Sequence, residues 1–239
     1  MVRDMASRPT EPTIPAPWLL EDLAQATELQ RRLAARLVLR GGPREPRTVA
    51  GVDVHFSRDG RWAWGAAVLV GLPGLEVLES AGARLPLTLP YRPGFLSFRE
   101  APAALAALKG LGRRPELLLC DGQGIAHPRR FGLACHLGLA AELPAIGVAK
   151  SRLVGEYAEP GPGRGDWSPL HFRGRRVGLV LRTRAGVRPV FVSPGHRVGM
   201  DRCRELVMAC TGRFRLPEPL RAAHNLARRL REDQETAAE

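Results

Sequence analysis

The sequence predicts an α/β fold in which a three-strand antiparallel meander is continued by βα units into a mixed sheet flanked by helices. Two strand patterns meet at an Asp-Gly pair at 59–60, which is typical of a hairpin, and a third follows a Leu-Pro-Gly turn at 72–74. Further along, the unbroken apolar run 117–120 is typical of a strand buried on both faces, and helical patterns lie before and after it.

The individual elements follow from periodic patterns, with apolar residues every three to four positions in helices and at alternate positions in strands. Together they predict one domain at 17–231, between a flexible arm at 1–16 and a polar tail at 232–239. The predicted elements are a helix at 17–40, strands at 48–56, 62–70 and 75–87 with an irregularity at Gly82, a helix at 98–111 capped by Ser97, a strand at 117–120, a helix at 131–143, a strand at 145–149, a hairpin of strands 171–183 and 187–193, and helices at 200–211 and 219–231.

The charge balance favours a polyanionic partner. The chain carries 36 lysines and arginines against 24 aspartates and glutamates, a formal net charge of +12. Such an excess attracts nucleic acid and makes binding depend on salt. A general preference for arginine would also raise the charge, but nucleic acid is the partner that this excess favours.

Several functional classes lack their signatures. The four cysteines form no Cys-x-x-Cys pair, so we expect reduced, mostly buried thiols in a cytoplasmic protein. No apolar run is long enough to span a bilayer, so no membrane partner is expected. No phosphate-binding loop of nucleoside triphosphatases, dinucleotide fingerprint or nucleophile elbow is present.

A carboxylate ends the most apolar strand. Asp121 is followed by Gly122 and Gly124, at the carboxyl end of a strand, where open α/β sheets bind their ligands. An isolated Asp-Gly would be read as an ordinary turn. Because His127 and two arginines at 129–130 follow in the same loop, the sequence instead favours a site that handles phosphate.

Two further carboxylates can join this site. Asp53 interrupts the first strand, where an unpaired buried charge costs several kcal/mol unless it binds a metal. If the first and fourth strands are neighbours, Asp53 and Asp121 face one site, and neither has an obvious cationic partner in the sequence. Glu100 is either a third carboxylate or a capping residue three positions after Ser97. Such oxygen ligands suit Mg²⁺ or Mn²⁺, which assist phosphodiester cleavage.

Lys150 stands out by composition, because the chain has only one other lysine, Lys109, among many arginines. A lysine at the end of a predicted strand indicates a need for a compact ammonium group rather than a planar guanidinium. Chance survival of one lysine is the alternative.

Five segments carry a family resemblance: VDV at 52–54, PYRPGFLSFRE at 90–100, DGQGIAHPRRFGLACHLG at 121–138, GVAKS at 147–151 and SPGH at 193–196. Over about residues 18–231 the chain resembles the endonuclease V, or deoxyinosine 3′-endonuclease, family. The resemblance implies a ribonuclease H-like fold. It also implies a Mg²⁺-dependent DNA repair endonuclease, with Mn²⁺ as a substitute, which recognises deoxyinosine and nicks one nucleotide 3′ of the lesion, leaving 3′-hydroxyl and 5′-phosphate ends.

The resemblance also implies roles for single residues. It gives metal binding and catalysis to Asp53, Glu100, Asp121 and His224, and it places Lys150 in the active site. The residues that it implies for substrate binding are Pro90, Tyr91, Arg92, Pro93, Gly94, Leu96, Gly122, His127, Gly132 and Leu133.

Some of these substrate contacts have alternatives. Tyr91 matches the wedge tyrosine of the family, or it packs under its own prolines. Arg92 stands where the family often has an apolar residue, so it either inserts into DNA or contacts phosphate. His127 either orients a phosphate or base, or braces its loop. We expect hypoxanthine to be flipped into a pocket that reads it through main-chain groups.

Two other functions compete with this one: a different ribonuclease H-like nuclease, such as a structure-specific resolvase, and a non-catalytic nucleic-acid-binding module. Three carboxylates argue against the module, because an empty acidic site would repel the backbone. We expect a monomer acting on DNA that contains deoxyinosine, and activity on inosine in RNA stays open. His55, His136, Trp62 and Trp64 are predicted to be structural.

Overall fold

The protein is built on an eight-stranded mixed sheet with helices on both faces. The structure is a computed structural model that describes residues 23–87, 89–90 and 92–236. The predicted arm at 1–16 lies outside the described residues. The strands are β1 (Thr48–Phe56), β2 (Trp62–Gly71), β3 (Val77–Pro86), β4 (Leu117–Cys120), β5 (Ala145–Ala149), β6 (Trp167–Phe172), β7 (Arg175–Leu181) and β8 (Val190–His196), and the helices are α1 (Leu23–Ala34), α2 (Leu96–Lys109), α3 (Leu133–Ala141), α4 (Met200–Ala209) and α5 (Glu218–Thr236).

The strand order is β3-β2-β1-β4-β5-β8-β7-β6. The central strands β1, β4 and β5 run parallel, and the remaining neighbours are antiparallel. The predicted meander, the βα continuation and the bounds of β1, β4 and β5 are therefore confirmed. Because the parallel strands end at one edge of the sheet, the residues that follow β4 and β5 lie close to the end of β1.

Alternation along the strands divides the core between two faces of the sheet. Helices α2 and α3 pack with Ala50, Val52 and Val54 of β1 on one face. Helices α4 and α5 cover the other face, where α5 contacts β1 closely: a Cβ added to Gly51 would lie 2.1 Å from the carbonyl oxygen of Pro219. Asp53 and His55 share the α5 side with Gly51, because side chains two residues apart on a strand point the same way.

Two helix predictions are wrong at their ends. Helix α1 stops at Ala34 rather than residue 40, because Leu37 and Leu39 pack against the same apolar cluster as Leu33 without continuing the helix. Helix α2 begins at Leu96, so Ser97 lies inside its first turn and is not the N-cap. Its buried hydroxyl has no hydrogen-bond partner in the described part of the chain.

Three further predictions need correction. The strand predicted at 171–183 contains the end of β6, a turn and the whole of β7, because Arg173 and Gly174 both have positive φ, 52° and 71°, and turn the chain. Gly82 pairs regularly, and the irregularity in β2–β3 pairing lies at Leu69/Val70. Helix α5 continues through 232–236 of the predicted tail, where Glu235 pairs with Arg231.

Other expectations about the chain agree with the structure. All four cysteines are free and buried. Trp64 is buried, and the Arg84 guanidinium lies 3.8 Å from the ring centre of Trp62, so both tryptophans take part in packing. None of the helices in the described part of the chain combines the length and apolar character needed to cross a bilayer.

Candidate active site

Parallel pairing of β1 with β4 brings two aspartates together. Val52 is in register with Cys120, so Asp53 and Asp121 occupy the next positions on adjacent strands. The Asp121 amide donates to the carbonyl oxygen of Val52 over 3.3 Å, which holds this register to the end of β4. The expectation that the first and fourth strands are neighbours is therefore confirmed.

Helix α5 adds a histidine to Asp53. His224 Nδ1 lies 2.7 Å from Asp53 Oδ2, and His55 Nε2 lies 3.5 Å from the same oxygen. The sequence predicted His224 at this site through the family resemblance, but it treated His55 as structural. The structure places His55 in the cluster, and its position two residues after Asp53 on one strand was the signal that could have found it.

Lys150 follows β5 and contacts Asp121, with 2.5 Å between Nζ and Oδ2. The expectation that Asp121 lacks a cationic partner is therefore wrong. Burial and the charge of Asp53 still raise the pKa of Asp121, against the opposing charge of Lys150. For Asp53, burial also acts to raise the pKa, but hydrogen bonds from His55 and His224 outweigh it and the net pKa is lowered.

Glu100 is a buried carboxylate in the field of both aspartates. Burial first, and then the charges of Asp53 and Asp121, raise its pKa well above the usual range. Among the described residues its Oε2 atom has no hydrogen-bond partner, and the Ser97 hydroxyl does not bond to it. The capping role considered for Glu100 is therefore wrong, and the carboxylate needs either a proton or a cation.

These donors fit a divalent cation. Ligand atoms of Asp53, His55 and His224 lie within 4.8 Å of one another. The charge of Asp53 acts on Glu100, which has a buried carboxylate oxygen without a partner among the described residues. Asp121 is not a member of that close set, and its carboxylate pairs with Lys150. The structure thus brings Asp53 and His224 of the predicted set together and adds His55. The metal role of the predicted residues stays a prediction.

The segment at 90–96, called the recognition segment because the family resemblance implies substrate contacts there, is held through the main-chain carbonyl group of Gly94. Gly94 O accepts hydrogen bonds from Gln30 Nε2 at 3.0 Å, His127 Nε2 at 3.0 Å and Arg129 Nη2 at 2.6 Å. His127 Nδ1 accepts from the Arg129 amide, and burial lowers the pKa of His127 to about 4. His127 is thus a neutral histidine that braces its loop. Gln30 was missed, because its partners are distant in sequence.

The glycines predicted to line a base pocket differ in what surrounds them. A Cβ on Gly124 would lie 2.2 Å from Pro194 O, and one on Gly132 would lie 2.3 Å from Gln123 O, so both glycines permit close backbone packing. A Cβ on Gly122 would lie 3.3 Å from the Leu133 side chain. Gly122 is therefore the glycine of this set that faces a side chain predicted to contact the base.

Four of the other predicted substrate residues belong to this segment and are exposed. Tyr91 lies outside the described residues, so the wedge role stays a prediction. The exposed members of the set are Pro90, Arg92, Pro93 and Leu96.

A basic groove of about 390 Å³ adjoins the candidate site at Lys150. Lys150 and Arg188 line it, and Arg215 donates from Nη2 to the carbonyl oxygens of Lys150 and Pro189 at 2.8 and 2.9 Å. Arg215 thus joins the end of β5 to the β7–β8 connection. The groove offers positive charge next to the carboxylates, as a phosphate backbone requires.

Comparisons with known proteins agree on one family. The family profile described as Endonuclease V matches residues 31–225. A relative from Roseiflexus sp. strain RS-1, "Endonuclease V", is 52% identical over 211 residues, which is 88% of this chain and 94% of the relative.

Solved structures are similar over nearly the whole chain. The crystal structure of endonuclease V from Streptomyces avermitilis has a TM-score of 0.87 at 43% identity, and the match covers 93% of this chain and 98% of that one. Ciona intestinalis endonuclease V in complex with inosine-containing DNA shares the fold, with a TM-score of 0.78 at 23% identity, covering 88% and 97% of the two chains.

Proposed function

Because the chain belongs to the endonuclease V family, we propose that it is a Mg²⁺- or Mn²⁺-dependent endonuclease that nicks DNA one nucleotide 3′ of deoxyinosine. The observation that carries the proposal is the meeting of Asp53 and Asp121 on adjacent parallel strands, with the buried Glu100 in their electrostatic field. Metal-assisted cleavage of a phosphodiester needs carboxylates that hold the ion and basic side chains nearby that attract the phosphate.

Each catalytic side chain has a distinct task in this proposal. Asp53, Glu100 and His224 would hold the cation, and Asp121 completes the acidic set. When bound, the ion supplies Lewis-acid activation of water and stabilises charge on the leaving oxygen. Lys150 fixes the Asp121 carboxylate and presents an ammonium group toward the charge that develops on the phosphate.

Base recognition falls to the loops beside this centre. The exposed residues of the 90–96 segment meet the DNA, and Tyr91 fills the gap left by the flipped base. Hypoxanthine lies near Gly122 and Leu133, where main-chain groups read its N1–H and O6. Adenine presents an amine at position 6 and no proton on N1, so it would leave those groups unpaired, at about 1–3 kcal/mol for each.

The surface charge supports a nucleic acid substrate. The net charge of +12 favours the DNA backbone, and the groove beside Lys150 offers a path for its phosphates. The relative from Ciona intestinalis was crystallised on DNA with an inosine, which supports the substrate proposed here. Monomeric state and cytoplasmic location stay predictions.

End-labelled duplexes test the proposal. One duplex carries a single hypoxanthine and its control carries adenine, each incubated with and without Mg²⁺. Cutting of the hypoxanthine duplex alone, with metal, is the expected result. Binding without cutting would favour a non-catalytic module, and preferential cutting of branched DNA would favour a resolvase. An RNA strand with inosine, run in parallel, decides the wider substrate class.

A further inference from the structure

His55 brings a second imidazole nitrogen to the candidate metal centre. Its Nε2 atom lies 3.2 Å from His224 Nδ1 and 3.5 Å from Asp53 Oδ2, and the third side of the triangle, from His224 to Asp53, is 2.7 Å. Among the residues that the structure describes, this is the group of three His, Cys, Asp or Glu residues whose ligand atoms lie within 4.8 Å of one another.

Hydrogen bonds alone satisfy this triangle poorly. A neutral imidazole nitrogen either donates or accepts, and it cannot do both. If His224 Nδ1 donates to Asp53, either it shares that one hydrogen with His55 Nε2 at 3.2 Å or the two imidazoles present N–H groups to each other. If it accepts from His55, its lone pair faces the carboxylate oxygen at 2.7 Å. A cation that accepts all three lone pairs removes the conflict.

The spacing also suits one shared ion. Bonds of about 2.1 Å from a divalent ion to nitrogen or oxygen put ligands at right angles about 3.0 Å apart. The three measured separations, 2.7, 3.2 and 3.5 Å, lie on either side of that value. Because His55 and Asp53 are two residues apart on β1, their side chains project from the same face of the sheet.

We propose that His55 is a ligand of the catalytic cation and that the centre prefers a first-row transition-metal ion such as Mn²⁺ over Mg²⁺. The inference rests on the proposed function, because it concerns the same ion. Mg²⁺ takes oxygen ligands and keeps several waters, whereas imidazole nitrogens suit transition-metal ions. Asp53, His55 and His224 would hold the ion, and Glu100 lies in the electrostatic field of Asp53.

Metal binding, measured without DNA, tests this inference. The loss of the free Mn²⁺ signal in electron paramagnetic resonance gives the Mn²⁺ dissociation constant, and competition with Mg²⁺ gives the selectivity. The wild type should bind Mn²⁺ at least ten-fold more tightly than Mg²⁺. His55→Ser should weaken Mn²⁺ binding about ten-fold and change Mg²⁺ binding about two-fold or less. His171→Ser is the control, an exposed histidine on the edge strand β6.

A spectroscopic count of nitrogen ligands separates ligation from a merely structural role. Electron spin echo modulation from ¹⁴N should indicate two imidazoles on Mn²⁺ in the wild type and one in His55→Ser. His55→Gln, which keeps a polar side chain of similar length, should behave like His55→Ser. An unchanged Mn²⁺-to-Mg²⁺ ratio, or one imidazole in the wild type, would overturn the inference. If the wild type binds Mn²⁺ as predicted but cuts no hypoxanthine DNA, the proposed function fails instead.

Discussion

Lys150 Nζ lies 2.5 Å from Asp121 Oδ2, so the ends of β5 and β4 share one ion pair at the edge of the sheet. The contact fixes the carboxylate whose pKa is raised by burial and by Asp53. Arg215 holds the carbonyl group of the same lysine, so both ends of Lys150 are positioned. A compact ammonium group fits this position, as the composition of the chain indicated.

Lys150→Arg tests whether shape matters beyond charge. The substitution keeps the positive charge but replaces a compact group with a planar fork, so single-turnover cleavage of hypoxanthine duplex should slow by about 10²-fold. Lys109→Arg, the same change at the exposed end of α2, should leave the rate unchanged. Equal rates for the wild type and Lys150→Arg would show that only the positive charge at this position matters.

The brace on Gly94 predicts a binding defect at a distance from the chemistry. Gln30 is fully buried and donates to Gly94 O, so Gln30→Met removes one of the three donors that hold the recognition segment. We expect about ten-fold weaker binding of hypoxanthine duplex, because a looser segment would have to be ordered on binding, at roughly 1 kcal/mol for one lost hydrogen bond. The single-turnover rate at saturating enzyme should stay close to that of the wild type.

Fluorescence anisotropy gives the affinity, and Gln25→Met on the exposed face of α1 is the matched control. A slower saturated rate with unchanged affinity would show that Gln30 acts on the catalytic centre and not on the recognition segment.

Gly122 and Gly124 should respond differently to substitution. Gly122→Val projects methyl groups toward Leu133, so it should abolish cleavage while the melting temperature changes by only a few degrees. Gly124→Ala would put a Cβ 2.2 Å from a carbonyl oxygen, so it should lower the melting temperature strongly. Paired calorimetry and cleavage assays decide this, and full activity and base selectivity in Gly122→Val would place the pocket elsewhere.

Buried histidines should make the protein sensitive to acid. Burial lowers the pKa of His136 to about 4, so the folded state holds it neutral while the unfolded state, with a pKa near 6.5, takes up a proton. The part of the unfolding free energy that depends on neutral His136 is therefore fully present above pH 6.5 and is lost as the pH falls toward 4. At pH 5 the loss is about 2 kcal/mol.

His136 packs against Phe98 and Phe131, so His136→Phe preserves an aromatic ring in that place. Urea unfolding at pH 7.5 and pH 5 should show a smaller loss of stability on acidification in this variant than in the wild type, by about 2 kcal/mol. An equal loss in both proteins would mean that His136 is protonated in the folded state.

Local patterns predicted the centre of the fold well. The apolar run at β4 and the alternation in β1 define strands by themselves, and a charge inside β1 and another directly after β4 marked Asp53 and Asp121 as functional. The sequence left the pairing of these two strands as a condition, and the structure meets it. These strand patterns and the charged residues in or next to them are local in the sequence, so a single sequence is enough to reveal them.

The misses have long-range or backbone causes. Gln30 meets Gly94 and Phe131 across 64 and 101 residues, a pairing that no local pattern encodes. The turn at Arg173 depends on a positive φ that a non-glycine residue rarely adopts, so the sequence read β6 and β7 as one strand. His55 was visible beside Asp53, but its partner His224 comes from α5, 169 residues away.

Asp121 and the carboxylates beside it are proposed to carry out metal-assisted cleavage and not merely to bind DNA. Single-turnover cleavage of hypoxanthine duplex by Asp121→Asn, at saturating enzyme and Mg²⁺, separates these two roles when binding is measured on the same samples. We expect the rate to fall by several orders of magnitude, with affinity within a few-fold of the wild type. A near-normal rate in Asp121→Asn would show that this carboxylate is not needed for the chemistry.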